Sequence, residues 1–202
     1  MKNRDIRRKV SAFGFYLVMV LAIFSMAMSV EAYEMKTIER NNGLAAYAEW
    51  YDGSTSAYLS VINNNDGADI YLSICTYGND IYTCKDGYKY TTEKIFDGNK
   101  KLASAVLSPV DIDLYSYYCD EYGCYGEYVE TAKLQAKWMG IGDIYKDSYK
   151  SMSKSGNYMA KYSSGSSIRN AKAAASVGSQ NLGESTYGTL FSFKSVSMTT
   201  IK

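Results

Sequence analysis

LSPVDIDLYSYYCDEYGCYGEYVETAKLQAKWMG, residues 107–140, decides the fold. Val110, Ile112 and Leu114 alternate with Asp111, Asp113 and Tyr115, and Ala132, Leu134, Ala136 and Trp138 alternate with Lys133, Gln135 and Lys137. A period of two places each apolar set on one face of a strand, so the stretch predicts a long β-hairpin. Cys119 and Cys124 flank Asp-Glu-Tyr-Gly at its tip, which suits a loop closed by a cross-strand disulfide. With Cys119 opposite Cys124, unbroken pairing would set Ile112 opposite Thr131 and separate the apolar sets. One extra residue in the returning strand repairs this, and a bulge at Gly126 is the simplest expectation. Val110 then faces Leu134, Ile112 faces Ala132 and Asp111 faces Lys133.

Outward from the hairpin, the same alternation recurs. GLAAYAEWYD (43–52), SAYLSVIN (56–63) and ADIYLSICTYG (68–78) read as strands, divided by Asp52-Gly53-Ser54 and by Asn63-Asn64-Asn65-Asp66-Gly67. IYTC and YKYTTEKIF follow, separated by Lys85-Asp86-Gly87, and KLASAVLS leads through Pro109 into the hairpin. Beyond Gly140 the chain turns rich in Gly, Ser, Lys and Tyr, with a strand at NYMAKYSS. SIRNAKAAASVGS (167–179) has helix-favouring alanines, but Ala171, Ala173, Ala175 and Val177 alternate and predict a strand. Residues 178–188 read as a loop, and TLFSFKSVSMTTIK as a closing strand. Residues 33–42 are polar, an edge or leader segment. About eight to ten short strands with glycine-bearing turns predict an all-β, antiparallel sandwich of jelly-roll or immunoglobulin-like type.

The amino terminus has a different composition. Lys2, Arg4, Arg7, Arg8 and Lys9 precede an apolar run at 13–28, and Val30-Glu31-Ala32 fits the small-x-small rule of signal-peptide cleavage. Residues 1–32 therefore read as a signal peptide and 33–202 as one β-sandwich domain; an uncleaved leader would be the sole membrane attachment. Removing it subtracts five basic groups from 22 and two acidic groups from 21, leaving 17 against 19 and a net charge of minus two. Arg40 and Arg169 are then the remaining arginines, and the lysines are spread along the chain, so no footprint for nucleic acid is visible.

Four cysteines in an exported chain predict two disulfides, Cys75–Cys84 and Cys119–Cys124. The chain has no histidine, which removes Ser-His-Asp and Cys-His catalysis and histidine-ligated metals. No cofactor or metal site is expected. Asn63–Asp69 resembles a calcium loop only until the closing glutamate, which is missing, so it reads as a turn.

Without Tyr16, 20 of the 21 tyrosines remain, against three phenylalanines. Tyr115, Tyr117, Tyr118, Tyr122, Tyr125 and Tyr128 crowd the hairpin tip, and with Trp50 they form the candidate binding surface, since tyrosine gives large contact area at low rotamer cost. Asp111 and Asp113 share a strand face, as a carboxylate pair for glycoside hydrolysis would. These features describe an exported, non-enzymatic, tyrosine-rich structural or adhesive protein of the cell surface, matrix or a fibre. Its partners would be an extracellular glycan, a protein or a second copy. The alternatives are a carbohydrate-binding module and a carboxylate-based secreted hydrolase.

Overall fold

The computed structural model describes residues 35–78, 81–99, 101–120 and 123–201. They form Met35–Tyr51 (β1), Thr55–Asn63 (β2), Ala68–Gly78 (β3), Ile81–Thr91 (β4), Phe96–Gly98 (β5), Ser104–Asp120 (β6), Gly123–Ser155 (β7), Tyr158–Val177 (β8), Gln180–Glu184 (β9) and Tyr187–Ile201 (β10). All pairings are antiparallel and belong to one sheet. The ladder runs β1–β2–β3–β4–β6–β7–β8, and β10 pairs with both β8 and β1, so these eight strands close on themselves. The all-β, antiparallel expectation holds, but two sheets packed face to face are not what the pairings form. Alternation tells which side of a strand is buried; it does not tell which strand lies beside it, so ring and sandwich read alike. Nor are all strands short, since β7 runs for 33 residues.

The interior is filled by one apolar cluster. Leu59, Val61, Ile70, Leu72, Ile112, Leu114 and Leu134 come from the middle strands, while β1 and β8 supply Ala46, Ala48, Ala171, Ala173 and Ala175. Those alanines leave room for Trp138, which is fully buried. Its ring meets Phe96 edge-on at 5.9 Å, and its Nε1–H donates to the Tyr47 carbonyl at 3.1 Å. This apolar-in arrangement is the inverse of a membrane-spanning barrel, whose apolar residues face outward.

The hairpin of β6 and β7 has the expected register in its body: Val110 pairs Leu134, Asp111 pairs Lys133 and Ile112 pairs Ala132. Cys119 pairs Cys124 along the backbone. The extra residue, however, is Val129, lying between the Leu114–Glu130 and Tyr115–Tyr128 pairs rather than at Gly126. Gly126 stays in the ladder opposite Tyr117, and a Cβ there would stand 3.0 Å from the Tyr117 ring. A second irregularity gives β6 one extra residue at Ser108-Pro109. Here the missing proline N–H costs no ladder bond, and the Ser108 N–H donates to Ile95 instead.

Lys85-Asp86-Gly87 is no turn, because β4 runs straight through it. Gly87 lies where β4 meets β6, and a Cβ there would approach Leu114 Cδ2 to 2.8 Å and the Asp113 carbonyl to 2.9 Å. The β4–β6 seam is narrow, spanning Lys85–Gly87 against Leu114–Ser116. Lys89 Nζ extends it by donating to the Asp111 carbonyl at 2.7 Å. The presumed loop at 178–188 holds β9, and Leu182 packs against the core.

Truncating Trp138 to alanine removes the largest fully buried side chain among the described residues. We expect the Trp138→Ala chain to lose about 3–5 kcal/mol in urea unfolding. The exposed Tyr149→Ser change should shift stability by less than about 0.5 kcal/mol.

Candidate functional site

The tip of the β6–β7 hairpin does not present its tyrosines as one surface. Tyr115, Tyr117 and Tyr128 share a face, and Tyr115 and Tyr128 meet edge-on with centroids 5.9 Å apart. Tyr125 lies one position out of step with Tyr128 and with Tyr117's partner, Gly126, so alternation puts it on the opposite face. Residues 121–122 and the side chains of Tyr118, Cys119, Asp120 and Cys124 lie outside the described part of the structure. Trp50 is buried, with its Nε1–H donated to the Gly183 carbonyl at 3.1 Å. It anchors β9 to β1 and offers no platform, which corrects its place in the candidate surface.

The face carrying Tyr115 continues across the outside of the ring as a tyrosine wall, a feature hidden in the sequence because its members come from separate strands. Asp86 on β4 pairs Tyr115 on one side and Ser73 of β3 on the other. Tyr71 and Tyr88 pair directly, and Tyr71 and Tyr58 have centroids 6.0 Å apart. Tyr88 donates its hydroxyl proton to Asp69. This bond raises the Tyr88 phenol above its ordinary value. The Tyr71 phenol is also raised, first by partial burial and then by the negative charge of Asp86. Asp86 Oδ1 is enclosed and, among the described residues, has no donor.

A second surface is built where the strands outrun the ring. Past Gly140 the β7–β8 register shifts, with Ile141-Gly142-Asp143 opposed by Asn170 alone. Gly142 has φ +64°, in the left-handed region. Arg169 holds this bend through Nε–H to the Gly142 carbonyl at 3.0 Å and Nη1–H to the Leu102 carbonyl at 3.4 Å. Beyond the bend, residues 144–155 of β7, 158–169 of β8, 189–201 of β10 and 35–43 of β1 continue as a four-stranded projection. Among the described residues, 35–43 pair along the backbone only with β10 and 144–155 only with β8, so neither outer edge has a neighbouring strand; on the β1 edge Asn65 Nδ2 donates to the Arg40 carbonyl at 2.6 Å.

The two faces of the projection differ in charge. One is continuous with the tyrosine wall and carries Tyr145, Tyr149, Tyr158 and Tyr162 with serines, Asp147 and Glu39, and no cation. The other continues the side that lines the ring interior. Its cross-strand rows read Lys154-Met159-Thr200-Lys36, Met152-Lys161-Met198-Ile38 and Lys150-Ser163-Val196-Arg40, with Lys194 and Lys146 in the next two. It carries no carboxylate, and among the described residues none of these cations forms an ion pair. Met152 is 69% exposed.

The remaining candidates are accounted for locally. Asp113 accepts from the Thr131 hydroxyl at 2.5 Å, and Asp111 stands opposite Lys133 on the exposed face. A hollow of about 320 Å³ between β4, β7 and the 178–180 turn has Glu130 as its one acid, and Glu130 is held by Lys85 at 2.9 Å. In the Asn63–Gly67 turn, Asn64 Oδ1 accepts from the Asp66 and Gly67 N–H groups at 2.8 and 3.2 Å. No cluster of three metal-ligating side chains occurs among the described residues.

Cys75 and Cys84 are joined across β3 and β4, with Cα atoms 4.0 Å apart. Such a bridge points to an oxidising compartment outside the cytoplasm. No helix among the described residues is long and apolar enough to cross a membrane. No protein-family model, curated protein or solved structure matches the chain.

Because the folded Tyr71 phenol ionises above the unfolded value of 10.0, the native state holds that proton where the unfolded chain has lost it. Stability is therefore complete below pH 10 and falls as pH rises through and beyond it. Ultraviolet titration of phenolate should show a late-ionising fraction, and Asp86→Asn should move part of it toward ordinary tyrosine.

Proposed function

We propose that this is an exported, non-enzymatic structural or adhesive protein that works by surface contact and self-association. The observation that carries the reading is the projection. It has four strands with no neighbouring strand on either outer edge among the described residues, and both faces carry exposed side chains. An open edge presents a row of unused N–H and C=O groups, which a strand of another copy can satisfy. The edges bear Lys36, Arg40, Lys146, Lys150 and Lys154, and charge at an edge disfavours indiscriminate pairing while leaving a matched partner possible. The tyrosine wall supports the same reading, because its rings supply contact area and its hydroxyls keep that area wettable. Cys119 and Cys124, opposite each other in the ladder, form the second disulfide in this reading and stiffen the tip.

Light scattering of the chain from Tyr33 onward should show mass rising with concentration, and electron microscopy should show ordered assemblies. A chain that stays strictly monomeric at its highest soluble concentration overturns the self-association reading. Peptide mapping without reduction should recover Cys119 linked to Cys124; free thiols there would remove the stiffened tip.

A further inference from the structure

We propose that the cationic face of the projection docks on an anionic lipid surface. The lysines look scattered along the chain, but strand alternation and cross-strand pairing bring them together on one side. Two of the rows end in cations on both edge strands, Lys154 with Lys36 and Lys150 with Arg40. Between those rows the edge positions are Met152 and Ile38. From the Met152 edge inward, Met152, Val196 and Met198 line a hollow of about 430 Å³ with Lys150 and Lys161 beside it.

Charge alone would suit any polyanion. The apolar patch, exposed at Met152 and Ile38 and partly exposed at Val196 and Met198, is what a soluble polyanion leaves unsatisfied. A lipid surface takes both parts at once: lysine ammoniums reach phosphate, while methionine and isoleucine side chains enter the headgroup–acyl boundary. The span is adequate, since twelve residues on four strands cover roughly 40 Å by 15–20 Å. The opposite face bears Asp147 and Glu39 without a cation, so repulsion from an anionic surface selects the orientation.

The inference stands apart from self-association and can be tested below the concentration at which assemblies form. The chain from Tyr33 onward, which contains every described strand, is co-sedimented with vesicles of phosphatidylglycerol and phosphatidylcholine, or of phosphatidylcholine alone. Binding to the mixed vesicles alone, weakening as salt rises, is expected. Lys150→Gln, Lys154→Gln and Lys161→Gln together should lower it about a hundredfold, since each cation near such a surface contributes about fivefold. Met152→Ser with Met198→Ser should weaken vesicle binding and leave binding to inorganic polyphosphate unchanged. Equal binding to neutral vesicles overturns the proposal, as does absence of binding to the charged ones. Vesicle binding untouched by either variant, or abolished by polyphosphate at equal phosphate concentration, overturns it as well. Assembly without lipid binding would sink this inference alone, and lipid binding by a strict monomer would sink only the self-association reading.

Discussion

The register of β6 against β7 is the constraint on which the rest of the molecule depends. Val110 on Leu134 and Ile112 on Ala132 put both apolar rows into the interior, and a slip of one residue would send the two rows to opposite faces of the hairpin. Tip and body demand different offsets, and Val129 absorbs the difference as a single bulged residue. Because β7 then continues for the full 33 residues, that offset also fixes which side of the projection is cationic. A slip in the hairpin would turn the β7 residues of the projection to the other face along with their core row.

The passage from ring to projection is a problem in backbone polarity. Strands leaving a closed sheet abandon ladder partners, and each abandoned carbonyl or N–H near the core needs another. Arg169 supplies donors to the Gly142 and Leu102 carbonyls, and the Gly140 N–H is taken by Ala103. A Cβ on Gly140 would come within 2.1 Å of the Leu102 carbonyl, so close approach there requires glycine. On the other side, Gly43 makes room for the Phe193 ring, which would lie 2.3 Å from a Cβ, and Phe193 stacks on Phe191 at 5.8 Å. The exit is thus built from an arginine, two glycines and a stacked aromatic pair.

Strand identity and hairpin register were legible because period-two alternation and a cysteine pair are local signals. Closure was not, since β10 joining β8 and β1 depends on contacts between residues far apart in the chain, which no window along it contains. Lys85-Asp86-Gly87 looked like a turn because glycine beside aspartate usually marks one; here the glycine answers to a crowded seam. Trp50 looked like a platform because an exposed and a buried tryptophan have the same letter, and the acceptor for its N–H comes from a segment 133 residues away. The spread of lysines hid the cationic face for the same reason. Linear spacing measures distance along the strand, whereas neighbours on a sheet are set by pairing.

The near-replacement of phenylalanine by tyrosine follows from the same geometry. A closed ring of long strands has a large outer surface for a small interior, and alternation sends every second residue to that surface. β-branched and aromatic side chains favour the strand conformation, but phenylalanines at all those sites would form a continuous apolar sheet liable to collapse on any other. Tyrosine keeps the flat ring and its cross-strand contacts, as in Tyr58 with Tyr71 or Tyr149 with Tyr162, while each hydroxyl needs water or an acceptor. Two of the three phenylalanines among the described residues fit this logic by location. Phe96 is sealed against Trp138, and Phe193 is half-buried where Gly43 receives it. The outer wall is therefore sticky by shape and wet by chemistry, which is the combination that lets contact remain reversible until a matching surface excludes the water.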